Sequence, residues 1–376
     1  MKKILFNSIC KSTNYLTYTE ELYADYDLFR KKHFSNQCLE LLQVQFPKSK
    51  LFLTHSATGG LEMIAHLMNV RKGDEIIMPS FTFIATANAF VSRGATPVFV
   101  DIDPNTLNLD LNLIESSISS KTKAIVMVHY GGHASDMNRL KAICEKHKIY
   151  LVEDAAMAFG NNFEGLPLGT IGDFGVISFD ITKQISAIQG GLLLVNNADF
   201  QERADKIYHL GTNRSEFMAG NVPYYEWVDV GSKYQMNELN ALALFDQLSS
   251  QEDILKHRNQ ISKWYYDLLN PLAEKGFFRL MSKKHLDENI HEFYLILDDE
   301  KQRVALVKQL NEHGIEAMFH YIPLHNSSFG REVSQFKELP VTDEISAALL
   351  RLPLHGSMTS EDVNFIGIKI KTFYHG

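Results

Sequence analysis

The sequence has little of what several protein classes require. Its 376 residues include only three cysteines, Cys10, Cys38 and Cys144, which show no CxxC spacing. This pattern predicts free thiols in a reducing compartment, so we expect a cytoplasmic protein. The fifteen histidines are spread along the chain, and the sequence predicts no metal site.

Long apolar runs and basic runs are also missing. No stretch approaches the length of a membrane span, and the opening MKKILFNSIC lacks the long apolar segment of a secretory leader. The net charge of -8 argues against a nucleic-acid-binding surface. We therefore expect neither a membrane nor a nucleic acid among the partners. The hydrophobic content of 45% is ordinary for a globular chain long enough for two domains.

Short apolar runs alternate with helical patterns through the first 200 residues. Strands are predicted at 51–53, 75–78, 97–100, 124–128, 149–152, 174–179 and 192–195. Such alternation predicts an α/β fold, with a mainly parallel sheet and helices on both faces. After residue 237 come two long amphipathic helices and a smaller α/β unit, for which we predict a strand at 316–319 and a helix at 342–350. The predicted domains are a large one at 1–250, which includes an N-terminal arm, and a small one at 251–376.

The stretch from 154 to 191 carries the most informative chemistry. Asp154 follows one predicted buried strand and Ser178 lies in the next, at the strand ends where open α/β sheets place ligands. Lys183 lies in the polar loop that follows. Pyridoxal phosphate (PLP) needs an amine for its aldehyde, a carboxylate for its ring nitrogen, and hydroxyl or backbone donors for its phosphate. Because a lone lysine is usually solvated, the prediction depends on the three groups occurring together.

A second segment fits the phosphate of the same cofactor. The predicted strand at 51–53 continues through THSATGG into a predicted helix at 61–68. Free backbone N–H groups and the helix dipole at such a turn form a cradle for an anion. The alternative is a simple helix cap by Ser56 or Thr58, which is the commoner role of these residue types.

Several long motifs resemble one protein family. They are MPSFTFIATANAF, RGATPVFVDIDPNTLNLD, KTKAIVMVHYGG, VEDAA, LGTIGDFGVISF, the TK at 182–183, GTNRS and HYIPLH. The chain resembles the DegT–StrS nucleotide-sugar aminotransferases over nearly its whole length, and is most similar to dTDP-4-amino-4,6-dideoxygalactose transaminases. The resemblance implies a fold-type-I PLP-dependent transferase. It also implies amino transfer from L-glutamate to a nucleotide-linked keto-deoxy sugar, dTDP-4-keto-6-deoxyglucose, for surface polysaccharide biosynthesis.

The resemblance also implies roles for individual residues. Lys183 corresponds to the Schiff-base lysine, and Asp154 to the partner of the ring nitrogen. The remaining cofactor contacts that it implies are Ala57, Thr58, Phe83, Met157, Ser178 and Lys233. The resemblance implies that His320, Tyr321 and His325 line the part of the site that binds the sugar nucleotide. Arg214 is a further candidate, as a cation that binds the diphosphate. We further expect a homodimer with shared active sites, in which Arg214 or Lys233 reaches into the neighbouring subunit.

Several positions depart from the family pattern. Met157 stands where the family usually has glutamine, Lys233 stands where many relatives have an asparagine, and Asp180, Gln184 and Gln189 change the motifs around the lysine. These changes fit neutral drift, altered specificity or weaker activity. Two other classes therefore stay open. One is a PLP-dependent isomerase or dehydratase acting on a similar sugar, and the other is a non-catalytic relative that binds a nucleotide sugar or a partner enzyme.

Overall fold

The fold is built around one seven-stranded sheet, in a computed structural model that describes residues 3–9, 14–335 and 337–375. The strands are β1 (Lys50–Thr54), β2 (Glu75–Pro79), β3 (Thr96–Val100), β4 (Thr122–Val128), β5 (Tyr150–Asp154), β6 (Asn162–Phe163), β7 (Leu166–Pro167), β8 (Phe174–Ser178), β9 (Gly191–Val195), β10 (Arg279–Leu280), β11 (Phe293–Ile296) and β12 (Leu349–Leu352). The order in the large sheet is β1-β9-β8-β5-β4-β2-β3.

Helices cover this sheet and make up much of the C-terminal part. They are α1 (Tyr15–Ala24), α2 (Tyr26–Arg30), α3 (His33–Gln45), α4 (Ala57–Leu67), α5 (Ile84–Val91), α6 (Leu111–Ser117), α7 (Met137–His147), α8 (Gln201–Tyr208), α9 (Arg214–Met218), α10 (Glu238–Ser249), α11 (Gln251–Ala273), α12 (Glu300–Glu312), α13 (Ser328–Val333), α14 (Pro340–Ala348) and α15 (Ser360–His375). In the described ranges, no helix combines the length and apolarity that crossing a membrane requires.

The large sheet is mainly parallel, which confirms the predicted α/β class. Strands β3, β2, β4, β5 and β8 pair in parallel, whereas β9 is antiparallel to both of its neighbours, β1 and β8. Successive residues of β4 enter different hydrophobic clusters: Ile125 and Met127 join one, while Ala124 and Val126 join the other. Both faces of the sheet are therefore covered, which explains why its strands read as continuous apolar runs.

The C-terminal part contains a three-stranded antiparallel sheet in the order β10-β11-β12. The strand predicted at 316–319 is wrong, because this segment makes only one single-residue bridge, Met318 with Arg351, and the preceding Ile315 makes another with Ile4. The end of the helix predicted at 342–350 is instead strand β12. Ile4 also belongs to the hydrophobic cluster of the C-terminal part. The division at residue 250 stays a prediction.

The N-terminal region, for which the sequence predicts an arm, contains the helices α1 and α2. Cys38 and Cys144 are buried free thiols, whereas Cys10 lies outside the described residues.

Candidate active site

A cavity of about 310 Å³ lies where the carboxyl ends of β5 and β8 face the amino end of α4. Most of the predicted site residues line it, namely Ala57, Thr58, Phe83, Asp154, Met157, Ser178, Lys183, His320 and Tyr321. The topology explains this convergence, because β5 and β8 are adjacent parallel strands that end at the same edge of the sheet.

Asp154 is held with its carboxylate at the end of β5. Its Oδ2 accepts a hydrogen bond of 2.7 Å from the hydroxyl of Thr86, and its Oδ1 accepts one of 3.2 Å from the backbone N–H of Ala156. The residue is 6% exposed. These two donors fix the orientation of the carboxylate. Because both donors are uncharged, they do not neutralise its negative charge, which is available for a cationic ring nitrogen.

The preceding residue, Glu153, has a structural role on the opposite face of β5. Its carboxylate accepts hydrogen bonds from His129 Nε2 at 2.9 Å and from the backbone N–H groups of Gly169, Ile171 and Gly172 at 2.6–2.9 Å. Successive side chains of a strand point to opposite faces. Of the two adjacent acids, only Asp154 therefore lines the cavity.

Lys183 lies in the loop 179–190, which is held by backbone hydrogen bonds between its two ends and within it. The backbone N–H of Phe179 donates to Gly190 O at 2.9 Å, and that of Lys183 donates to Asp180 O at 3.0 Å. Burial lowers the pKa of Lys183, while the nearby Asp154 carboxylate opposes this shift. A lysine with a lowered pKa has a larger fraction of the neutral, nucleophilic amine at neutral pH.

Two of the departures from the family pattern touch each other beside this loop. The Gln184 side chain donates from Nε2 to the backbone oxygen of Met157 at 3.0 Å. Gln184 and Met157 are 3% and 4% exposed, and the thioether side of Met157 packs in a hydrophobic cluster with Phe81 and Tyr130. The side chain of Gln184, which departs from the family pattern, therefore stabilises the backbone of Met157, which also departs from it.

The amino end of α4 is capped by a serine side chain and faces the cavity, while its role as an anion cradle stays a prediction. Ser56 is the N-cap, since its hydroxyl accepts from Gly59 N at 3.1 Å, and Ala57 and Thr58 begin the helix at the cavity. The strand β9 passes so close that a Cβ on Gly191 would lie 2.4 Å from Ala57 N. Only glycine allows this approach. Gly191 therefore lets the amino end of α4 lie beside Ser178.

The opposite wall comes from the C-terminal part and includes charged residues that sequence reasoning missed. Arg351 Nη2 lies 2.6 Å from Glu292 Oε2, and Arg351 Nη1 lies 2.7 Å from His320 Nδ1. His291 also lines the cavity and is buried. A signal for Glu292 and Arg351 does exist, because each is a charged residue in the apolar runs HEFYLIL and LLRLPL.

Three of the predicted residues do not line the cavity of their own chain. Arg214 is exposed, with its guanidinium carbon 5.6 Å from the centre of the Tyr225 ring. Lys233 is exposed as well. His325 is buried, and its Nδ1 lies 2.7 Å from the Ser80 hydroxyl while its Nε2 lies 3.4 Å from Asp343.

Asn289 connects the C-terminal part to the loops around the lysine. Its backbone N–H donates to Asn161 Oδ1 at 2.7 Å, and its side chain donates to Gly160 O at 2.8 Å. Its own carbonyl accepts from Asn161 Nδ2 at 3.1 Å and from Gln184 Nε2 at 3.4 Å. The segment that leads into β11 is thus bonded to the residues that flank Met157 and Lys183.

Three potential metal ligands, His133, His285 and Glu288, lie together next to this segment. The two imidazoles are stacked with centroids 3.7 Å apart, and each Nδ1 contacts a different oxygen of Glu288, at 2.5 and 3.0 Å. Burial would raise the pKa of Glu288, but these two hydrogen bonds lower it to about 2. When both Nδ1 atoms carry protons, the two imidazoles satisfy the carboxylate, whereas the buried Nε2 of His133 has no hydrogen-bond partner among the described residues, and the absence of a metal stays a prediction.

Comparisons with known proteins identify one family and several proteins similar to this chain. The model of the DegT/DnrJ/EryC1/StrS aminotransferase family matches residues 44–371. An uncharacterised protein of Methanocaldococcus jannaschii is 32% identical over 317 residues, which are 82% of each chain. The crystal structure of the aminotransferase TlmJ from Streptoalloteichus hindustanus is 27% identical, with a TM-score of 0.88 over 100% of this chain and 99% of that one. Spr1654 from Streptococcus pneumoniae, provisionally described as a sugar aminotransferase and solved in its PMP form, is 23% identical, with a TM-score of 0.87 over 100% and 98%.

Proposed function

Since this chain belongs to the DegT/DnrJ/EryC1/StrS aminotransferase family, we propose that it moves an amino group from L-glutamate to a nucleotide-linked keto sugar. The enzyme is a PLP-dependent aminotransferase. The observation that carries the proposal is the convergence of Lys183, Asp154 and the amino end of α4 on one cavity. An amine, an oriented carboxylate and an anion cradle in one place are what this cofactor requires.

The residues present fit PLP. The backbone N–H groups of Ala57 and Thr58, with the hydroxyl of Ser178, would hold the phosphate in the cradle that Gly191 keeps open. Asp154 would pair with the ring nitrogen, and Lys183 would take the aldehyde. When bound, PLP supplies an electron sink for the bonds at the carbon that carries the amino group.

The chain's own residues position the substrates and move the protons. The Lys183 amine accepts the proton from the α-carbon of glutamate, and in the second half of the reaction it delivers a proton to the sugar carbon that gains the amine. Burial favours the neutral amine that the first of these roles needs. Asp154, whose orientation is fixed by Thr86 and Ala156, would stabilise a positive charge at the ring nitrogen.

The substrate we propose is dTDP-4-keto-6-deoxyglucose. The reaction would take place in the cytoplasm and would supply an amino sugar for the biosynthesis of a surface polysaccharide. The description of Spr1654 as a sugar aminotransferase in its PMP form supports the substrate class and the cofactor. The long motifs shared with dTDP-4-amino-4,6-dideoxygalactose transaminases support the particular sugar. The C-terminal wall, with His320, Tyr321 and the Arg351–Glu292 pair, offers polar groups for a sugar ring opposite Lys183.

We also propose a homodimer in which Arg214 or Lys233 enters the neighbour's site and meets the diphosphate. Both cations are exposed and lie outside the cavity of their own chain. The same loop region carries exposed apolar side chains that a second copy would cover, namely Tyr224, Tyr225, Trp227, Val228 and Val230. A two-fold dimer is the commonest arrangement for such self-complementary surfaces.

The test is amino transfer by the purified holoenzyme. Incubation with L-glutamate and a panel of 3-keto and 4-keto dTDP, UDP and GDP sugars is expected to yield 2-oxoglutarate and an amino sugar in equal amounts, as measured by mass spectrometry. Lys183→Ala serves as the matched inactive control. Conversion of a sugar without gain of nitrogen would identify an isomerase or dehydratase instead. Nucleotide-sugar binding with no chemistry in any combination would identify a non-catalytic binding protein.

A further inference from the structure

A buried ion pair, Arg351 with Glu292, forms part of the cavity wall. Arg351 on β12 is opposite Tyr294 of β11, and Glu292 lies two residues before Tyr294. Because strand side chains alternate between faces, Glu292 and Arg351 project from the same face of this sheet. A buried pair contributes little net stability, since both charges lose their hydration. Its place in the wall of an active site therefore needs an explanation other than stability.

Arg351 determines which nitrogen of His320 carries the proton. Its Nη1 lies 2.7 Å from His320 Nδ1. A guanidinium has five N–H donors and no acceptor, so this hydrogen bond runs from Arg351 to Nδ1. Nδ1 therefore carries no hydrogen, and the single proton of the neutral imidazole lies on Nε2.

The surroundings of His320 oppose a second proton on its ring. The titratable groups around it are Arg351 on β12, His291 and Glu292 before β11, Lys183 in the loop after β8, the hydroxyl of Tyr130, and the adjacent Tyr321. The negative charge of Glu292 is paired with Arg351, and the Phe6 ring packs edge-on at 6.0 Å. Burial, the Arg351 guanidinium and Lys183 together lower the pKa of His320 to about 4. His320 is thus a neutral N–H donor at physiological pH.

We propose that Arg351, held in place by Glu292, is a positioning residue that fixes His320 in the Nε2–H tautomer, so that Nε2 donates a hydrogen bond to an oxygen of the sugar. This inference depends on the proposed function. The His320 ring lines the cavity, and no residue in the described part of the chain accepts a hydrogen bond from Nε2. A neutral donor suits an uncharged hydroxyl or carbonyl oxygen, whereas a phosphate is matched better by a cation.

The first experiment observes the tautomer directly and needs no turnover. Nitrogen-15 NMR of ring-labelled histidine in the holoenzyme is expected to show His320 as the neutral Nε2–H form from pH 5.5 to 8. The signal is assigned by its absence in His320→Asn. In Glu292→Gln/Arg351→Gln, which removes both charges and leaves neither unpaired, the pKa of the same histidine is expected to rise above its wild-type value, because the Arg351 charge is gone, but to stay below its ordinary value, because burial and Lys183 still lower it.

The second experiment measures the Michaelis constant for the keto sugar against pH. In Glu292→Gln/Arg351→Gln this constant is expected to rise by about three- to tenfold, as for the loss of one hydrogen bond. The pH at which protonation of His320 raises this constant is also expected to be higher in the double variant than in wild-type enzyme. Arg351→Lys also presents only donors to Nδ1 and is expected to restore most of the wild-type profile. The control is Asp74→Asn/Lys123→Gln, a partly buried ion pair at 3.0 Å that does not line this cavity.

The outcomes separate this inference from the proposed function. A His320 that carries its proton on Nδ1, or that is charged at pH 6.5 in wild type, overturns the inference even if the enzyme transfers amino groups. A double variant that folds, turns over sugar, and keeps the wild-type constant and pH profile reduces the ion pair to a structural role and also overturns it. If NMR shows the expected tautomer but no keto sugar reacts, the proposed function is what has failed, and the sugar contact fails with it.

Discussion

Replacing Gly191 with alanine tests whether the amino end of α4 holds the cofactor phosphate. The new Cβ would lie 2.4 Å from Ala57 N and 2.5 Å from the carbonyl carbon of Ser56. Ordinary contacts between such atoms are about 3.5 Å, so β9 and α4 have to separate by about 1 Å. Both neighbours are backbone atoms, and no side-chain rotation can relieve the contact.

A shift of this size breaks a hydrogen bond of ordinary length between the cradle and the phosphate. Losing one hydrogen bond to a charged group costs about 1.5–3 kcal/mol, which corresponds to an increase of about tenfold to a hundredfold in the dissociation constant for PLP. The measurement is titration of the apoenzyme with PLP, followed by the visible absorbance of the holoenzyme. Circular dichroism of the apoenzyme checks that the variant is folded.

Gly165→Ala is the matched control, because Gly165 has nothing within 4 Å of a built Cβ and lies between β6 and β7. Its positive φ of 81° predicts a stability loss of about 1 kcal/mol with no change in cofactor affinity. If Gly191→Ala folds and binds PLP as tightly as wild type, the phosphate does not lie at the amino end of α4.

Three further predictions follow from the site. Borohydride reduction of the holoenzyme and peptide mapping are expected to place the cofactor on Lys183, and a label on another lysine would show that the assignment is wrong. Met157→Gln is expected to lower the dissociation constant for PLP by a few-fold to about tenfold, because the new amide can add a hydrogen bond of about 0.5–1.5 kcal/mol; equal or weaker binding would mean that Gln184 and its neighbours have adapted to methionine. Sedimentation is expected to show a dimer whose activity falls with Lys233→Ala or Arg214→Ala, and a fully active monomer would exclude shared sites.

The sequence alone predicted the half of the cavity that the large sheet forms. Asp154, Ser178 and Lys183 could be placed together because the ends of adjacent parallel strands share one edge, and apolar runs reveal those ends. The large sheet was therefore predicted nearly strand for strand. Helix α4 was predicted to start later than it does, at 61 instead of Ala57. The small residues that begin it have weak helical periodicity, and only the Ser56 cap marks its start.

The other half of the cavity could not be predicted in the same way. Glu292 and Arg351 meet through the antiparallel register of β11 and β12, and the apolar run of β12 follows α14 without a break. Periodicity alone cannot distinguish such a short run from the end of a helix. The pattern of the segment 316–319 favours a strand. The segment forms none, because it pairs with other residues only through a single-residue bridge.

The bonds around Asn289 have a consequence for engineering. Four hydrogen bonds join this one residue to Asn161, Gly160 and Gln184, all of which belong to the loops beside the lysine. A chimaera that exchanged the C-terminal part with that of a relative at residue 250 would separate these partners. Recombination that keeps 157–161, 184 and 285–290 from the same parent preserves these bonds, while the sugar-facing wall is replaced with Glu292 and Arg351 still together.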